Sequence, residues 1–348
     1  MRLQENISLK LYNTFGIDAR AKYFAAFNSL NELAESLEWS QQAGVNGKGE
    51  TLVLGGGSNI LFTKNYEGLI LKNQLSGINK IAEDENYVYV QAGAGENWHQ
   101  LVLYCINHGW SGIENLSLIY GSVGASPIQN IGAYGVEIKD VFHSLEAFHK
   151  QEKKTIIFNA ADCEFAYRES IFKTKYKNEF VITNVTFRLS KKFILNITYG
   201  AIEQELKAMN VKEPDLQSVS QAVINIRIRK LPDPKVTGNA GSFFKNPEIS
   251  NSKFDELKQM FPGIIGYEIP NGNVKLAAGW LIEQCGPENG TSWKGYRKGD
   301  AGCHVKQALV LINYANATGK EIYALSEDII DSVNKKFAVL LTTEVNII

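Results

Sequence analysis

The chain has almost no net charge: 36 Lys plus Arg against 37 Asp plus Glu leave −1 over 348 residues. That balance offers no global field for nucleic acid or an anionic membrane, so any anionic ligand has to be held by a local cluster. Cysteine is scarce, and Cys105, Cys163, Cys285 and Cys303 show no close-paired spacing. The five histidines form no ligand pattern either, so no metal is expected and a reduced cytoplasm fits. Long apolar runs are also missing. No stretch approaches the ~20 apolar residues of a membrane span, and the start, MRLQENISLKLYNTFG, lacks an apolar core followed by a small-residue cleavage site. Neither export nor membrane insertion is expected.

Several familiar motifs are absent too. Neither Gly47-Lys48 nor Gly319-Lys320 has the upstream glycine and following hydroxyl of a P-loop. Gly93-Ala-Gly95-Glu-Asn-Trp98 begins like a dinucleotide fingerprint, but Trp98 stands at its third glycine, where bulk prevents close helix–strand packing. There is no Gly-x-Ser-x-Gly elbow and no evident Asp-His pair, which argues against an acyl-enzyme serine.

What is present is an ordinary globular composition, 44% hydrophobic and 21% charged, on a chain long enough for two or three domains. Its densest feature is Gly121-Ser-Val-Gly-Ala-Ser-Pro-Ile-Gln-Asn-Ile-Gly-Ala-Tyr-Gly135, rich in glycine and polar side chains and almost free of charge. Glycines permit positive φ and close approach of bare backbone to a ligand, and inward-turned N–H groups make an anion-binding concavity. A second such stretch, Gly55-Gly-Gly-Ser-Asn59, follows the short strand Thr51–Leu54. Strands are expected at 68–72, 87–93, 181–189 and 307–313, with an alternating run from Val339 to Ile347. Apolar periodicity and caps predict helices at 29–43, 98–109, 218–230 (box Ser218-x-x-Gln221), 275–286 and 319–336.

Leu-Gly-Gly-Gly-Ser-Asn59, Ala92-Gly-Ala-Gly95, and Gly112-Ile-Glu-Asn-Leu leading into Gly121–Gly135 resemble the UDP-N-acetylenolpyruvoylglucosamine reductase (MurB) family, and the motifs occur in that family's order along nearly the whole chain. The resemblance implies an α+β protein with an FAD-binding fold of the vanillyl-alcohol-oxidase-like superfamily: subdomains at 1–70 and 71–215, then a substrate-binding domain at 216–348. It implies FAD held by Gly55, Gly56, Gly57, Ser58, Asn59, Gly121, Ser122, Gly124, Ala125 and Ser126, with Ile131 and Gly132 against the flavin ring. Tyr134, Tyr167, Arg227, Lys230, Asn246, Tyr267 and Gln307 would contact the substrate. Tyr199, in the extra loop within 193–210 that some members possess, would fold over its nucleotide end.

The implied chemistry is a reduction in two halves. NADPH reduces FAD and leaves; UDP-N-acetylglucosamine enolpyruvate then receives hydride from the flavin N5 at C3 and a proton at C2, giving UDP-N-acetylmuramate for peptidoglycan synthesis. The resemblance makes Arg168 the clamp on the enolpyruvyl carboxylate, a task suited to its planar fork. Ser242 would be the proton donor, with Lys245 or another cation lowering its hydroxyl's effective pKa, and Glu344 would stabilise developing charge beside the carboxylate. Thr343 stands where many relatives carry proline. A monomer acting on small molecules is expected. Two other readings remain: a flavin oxidase of the same fold acting on a sugar or aldehyde alcohol, and a flavin-free binding protein.

Overall fold

The computed structural model describes residues 2–45 and 51–348; the polar stretch 46–50, with Gly47 and Lys48, lies outside them. Two compact units share the chain in alternation. Unit 1 is Met1–Ile7, Ala21–Gly57 and Tyr66–Arg229; unit 2 is Ser8–Arg20, Ser58–Asn65 and Lys230–Ile348. Residues 8–20 and 58–65 therefore group with the C-terminal part of the chain, and 216–229 with the N-terminal part.

Unit 1 is built on two sheets. In the first the spatial order is Gln4–Ser8, Arg20–Phe27, Tyr66–Asn73, Thr51–Leu54. Arg20–Phe27 and Thr51–Leu54 both run parallel to Tyr66–Asn73. Parallel strands are usually covered on both faces and read as apolar runs, and Leu69, Ile70 and Leu71 are completely buried. Helix α1 (Leu30–Gln42) starts at Ser29, whose side chain accepts from the Glu32 N–H, and buries Leu33 and Leu37 against Ala25, Phe27 and Leu71.

The second sheet is antiparallel, in the order Thr155–Asn159, Phe142–His149, Phe180–Ser190, Tyr87–Gly93, Ile78–Glu83. Helix α2 (Trp98–Asn107) packs Trp98, Leu101, Val102, Cys105 and Ile106 into the same core as Val88, Val90, Val185 and Phe187. It ends before Gly109, which takes φ +73. Helices α3 (Gly200–Ala208) and α4 (Leu216–Lys230) bury Ile202 and Leu206 against Val219, Ala222, Val223 and Ile226. α3 occupies residues expected as loop. The expected Ser218–Gln221 box is instead one turn earlier: the Ser218 N–H donates to Asp215 Oδ1 at 2.7 Å and the Asp215 N–H to Ser218 Oγ at 2.8 Å.

Unit 2 holds a four-stranded sheet in the order Gly238–Asn239, Leu311–Asn313, Ala301–Cys303, Arg297–Lys298. It also holds a three-stranded sheet in the order Glu248–Ser250, Asn273–Leu276, Gly266–Glu268. Its helices are α5 (Asn251–Met260), α6 (Ala278–Glu283) and α7 (Gly319–Phe337). α7 begins with a reciprocal Thr318–Glu321 capping box and buries Ile322, Leu325, Ile329, Val333 and Phe337.

Three expectations change here. Residues 275–286 are not one helix, because Lys275 and Leu276 are hydrogen-bonded into the three-stranded sheet and α6 starts only at Ala278. The strand expected over 307–313 is confined to Leu311–Asn313. The alternating run 339–347 forms a ladder only at Asn346–Ile347, plus a single bridge from Thr343 to Phe244. Alternate residues Val339, Leu341 and Val345 are nevertheless buried, so the apolar pattern reflects burial rather than extended pairing.

Candidate functional site

In unit 1 the two glycine turns meet backbone to backbone. A Cβ on Gly56 would lie 2.7 Å from Gly121 Cα and 3.0 Å from Gly121 C, and a Cβ on Gly55 would strike Ser122 Oγ. The turn Val123–Ala125 is fixed from the other side, where the Val123 N–H donates to Glu96 O and the Gly124 N–H to Ala94 O, both at 2.9 Å. A Cβ on Gly124 would lie 2.5 Å from Ala94 Cβ. Ser126 spends its hydroxyl on Val123 O at 2.6 Å. Beneath the first turn the Lys72 ammonium, its pKa lowered by burial, donates to Gly55 O. Lys72 was not anticipated, because its partner lies on a different strand–turn unit. A floor of bare backbone with a cation under it fits an extended, diphosphate-bearing cofactor.

Gly93 and Gly95 have a different duty. Their Cβ atoms would lie 2.6–2.7 Å from backbone atoms of Gln74 and Leu75, so these glycines let two chain segments touch.

The end of the long glycine stretch carries a polar frame. Ile131 is tied through its N–H to Ser126 O at 3.1 Å, and Gly132–Ala133 pairs with Val136–Glu137. Arg168 Nη2 donates to Gly132 O at 2.7 Å, with Nη1 at 3.5 Å from Asn130 O. Arg168 itself sits at φ +56 in a tight turn closed by the Ala166–Glu169 bridge, and its guanidinium lies 5.3 Å from the Tyr167 ring. Left-handed backbone at a non-glycine residue is costly and is retained only where surrounding structure enforces it. Asn130, fully buried, supplies part of that enforcement by donating to Glu137 Oε2 and Ala166 O, both at 3.0 Å.

Tyr134 and Tyr199 meet edge to face, their centroids 5.4 Å apart. On α4, Arg227 donates through Nε to Leu118 O at 3.1 Å. Burial pulls its pKa down, opposed by Tyr134 and Tyr120, and burial raises the Tyr134 phenol.

In unit 2, residues 242–245 run antiparallel beside 342–344. The Glu344 N–H donates to Phe243 O at 2.8 Å, and the Lys245 N–H to Thr342 O at 2.9 Å. Ser242 follows Gly241 at φ +70 and is partly buried, with Phe243 and Phe244 buried behind it. This pairing brings the Ser242 and Glu344 segments side by side. Asn59 helps hold the second of them: its Nδ2 donates to Glu344 O at 3.2 Å, and its own carbonyl accepts from Asn346 Nδ2 at 2.9 Å. Ser58 precedes it in the same turn.

Asn246 Oδ1 accepts the Ala278 N–H at 3.0 Å, at the first turn of α6, and Gln307 Oε1 accepts from Leu309 N–H at 3.2 Å. Tyr267 is exposed on the three-stranded sheet, and Lys230 is exposed at the end of α4. A cavity of about 450 Å³ in unit 2, lined by Lys10, Lys64 and Lys320 among others, contains none of the expected site residues.

The comparisons with known proteins bear on both units. Residues 233–348 match the model of the UDP-N-acetylenolpyruvoylglucosamine reductase C-terminal domain, and 21–153 match an FAD binding domain. A UDP-N-acetylenolpyruvoylglucosamine reductase of Flavobacterium johnsoniae is 48% identical over the full length of both chains. The chain belongs to this reductase family. A Pseudomonas savastanoi reductase of the same name is 46% identical, covering 100% of this chain and 99% of its own. The crystal structure of the Thermus caldophilus reductase covers 100% of this chain and 99% of its own at a TM-score of 0.67 and 21% identity, a likeness of fold. The α+β architecture, with an FAD-binding domain followed by the family's C-terminal domain, is thereby established. Full-length kinship with reductases supports reduction over the oxidase reading.

Proposed function

We propose that the chain reduces UDP-N-acetylglucosamine enolpyruvate to UDP-N-acetylmuramate with NADPH as the electron source and FAD as the bound cofactor. Full-length kinship with reductases of that name, at 43–48% identity, carries the reaction class. When bound, FAD supplies the two-electron carrier between NADPH and the olefin. The chain's own residues do the rest.

Gly55–Gly57 and Gly121–Ser126 form the cradle for the cofactor, and Ser58, Asn59, Ile131 and Gly132 complete its contacts. Arg168, its guanidinium anchored on Gly132 O, binds the enolpyruvyl carboxylate and neutralises charge that grows there as C3 is reduced. Ser242 protonates C2; a hydroxyl is a poor acid in water, but the acceptor is a strongly basic carbanion-like centre. Glu344, on the segment paired with 242–245, stabilises the developing charge beside the substrate carboxylate. Tyr134, Tyr167, Tyr199, Arg227, Lys230, Asn246, Tyr267 and Gln307 bind the remainder, with Tyr199 at the nucleotide end. The 1–70 and 71–215 subdomains share the cofactor, and 216–348 binds the substrate. The enzyme acts in the cytoplasm as a monomer.

Anaerobic visible absorption tests this reading in one cuvette. Flavin bands should bleach with NADPH and return on adding the enolpyruvyl substrate without oxygen. Return only with oxygen would replace reduction by oxidase chemistry, and a protein that stays colourless after added FAD would overturn the cofactor assignment. Sedimentation equilibrium at a single-chain mass checks the monomer.

A further inference from the structure

Asn115 is completely buried in the short turn Glu114–Leu116, where nothing in the proposed chemistry uses it. Its amide nitrogen donates to two main-chain carbonyls from distant parts of unit 1, Asn196 O at 2.8 Å and Tyr134 O at 2.9 Å. The second contact fixes a residue in left-handed backbone, since Tyr134 has φ +51 and Gly135 follows at φ +80.

Asn196 returns the link. Its Nδ2 donates to Gly135 O, and its Oδ1 accepts from Thr198 Oγ1, both at 3.1 Å. One residue later comes Tyr199, whose ring meets that of Tyr134 at 85°. The same turn continues to Leu118, whose carbonyl holds Arg227. A single buried NH2 group thus joins the segment bearing Tyr134 to the segment bearing Tyr199.

We propose that Asn115 is a positioning residue for substrate recognition, setting Tyr134 and the Tyr199 segment in register so that the aromatic pair is formed before substrate arrives. The proposal rests on the reading above that Tyr134 and Tyr199 contact the substrate. Only a side chain with two N–H donors in one plane serves both carbonyls. Aspartate, of the same shape, presents oxygens to them instead, and alanine leaves both unpaired in a buried place. Preorganisation acts on binding, so its loss should appear in KM with little change in kcat.

The test is a double-mutant cycle on the FAD-loaded enzyme, with KM for the enolpyruvyl substrate, kcat, and amide exchange of residues 193–200 as readouts. Asn115→Ala should raise KM about 10- to 100-fold, the range for two lost hydrogen bonds. It should change kcat less than about threefold and speed exchange in 193–200. In a Tyr199→Ala background the same substitution should add less than about threefold to KM, because the ring it positions is gone. Full multiplication of the two effects would overturn the proposal while leaving Tyr199 as a substrate contact. A Tyr199→Ala enzyme with unchanged KM would remove Tyr199 from the substrate site and the proposal with it. Should Asn115→Ala fail to fold, Asn196→Ala cuts the reciprocal bond from a less buried position. It should raise KM in the same direction, and an unchanged KM with unchanged exchange would refute the link.

Discussion

Replacing Gly56 by alanine puts one methyl group where two backbone segments already touch. Its Cβ would lie 2.7 Å from Gly121 Cα, with Gly121 C at 3.0 Å and Ser122 N at 3.3 Å. The closest of these is roughly 0.7 Å short of the 3.4 Å at which ordinary contact begins. All three atoms are main chain, so no rotamer change relieves the clash and the two turns have to part. Overpacking of this kind costs about 1–3 kcal/mol. If the turns part equally with and without cofactor, the cost appears as stability, a fall of about 2–4 °C in Tm per kcal/mol for a unit of this size. If FAD requires them at their native separation, the cost appears as affinity, about 5- to 150-fold in Kd. Thermal melts of the apoprotein and flavin-fluorescence titration separate the two, and their sum should reach at least about 1 kcal/mol. Gly200→Ala is the matched control: the residue opens α3 and a Cβ there meets nothing within 4 Å. It should be neutral or stabilising by up to about 1 kcal/mol. A Gly56→Ala protein with wild-type Tm and wild-type FAD affinity would refute the account of the cradle.

Other outcomes follow from the same geometry. Ser242→Ala should leave flavin binding and reduction by NADPH intact but slow reoxidation by substrate about 10²–10⁴-fold, the worth of a general acid; near-normal stopped-flow reoxidation would remove Ser242 from that role. Arg168→Lys replaces a fork by a point charge, so the hydrogen bond to Gly132 O and the grip on a carboxylate cannot both be kept. The rate of substrate reoxidation should fall at least about tenfold, with the same measurement as check. His99 accepts the Leu118 N–H through Nδ1, and burial together with the nearby Arg227 cation lowers its pKa from the usual 6.5. The unfolded chain then binds a proton that the folded chain resists, so this site's contribution is full above 6.5 and is lost as pH falls from there through the folded value. Urea midpoints between pH 7.5 and 5 should show a decline that flattens in His99→Gln, which keeps an acceptor without the titration.

Local rules made much of this legible in advance. Helices were expected to begin at 29 and 319, and Ser29 and Thr318 cap helices there; the apolar stripe of 219–226 is buried as its spacing requires. The signals that misled were local ones overruled by distant partners. Lys275–Leu276 has helical spacing but sits between two strands, and 339–345 alternates without a ladder because only Asn346–Ile347 finds a regular partner strand. Gly93 and Gly95 look like a nucleotide fingerprint and serve instead to admit the backbone of 74–75. Asn115 lies inside the Gly112-Ile-Glu-Asn-Leu motif, yet nothing local gave it a role: its partners lie 19 and 81 residues away, and the role emerges only when both carbonyls are in place.

The interleaving of the two units also has a consequence for biosynthesis. Ile60–Leu61 pairs in parallel with Asn346–Ile347, and the Thr63 N–H and hydroxyl both donate to Ile348 O at 2.7 Å. Residues 58–65 therefore leave the ribosome some 285 positions before the strand that completes their hydrogen bonding. Contacts of such separation are slow to form, and loss of residues 346–348 would leave the strand Ile60–Leu61 with an open edge of the kind that seeds aggregation.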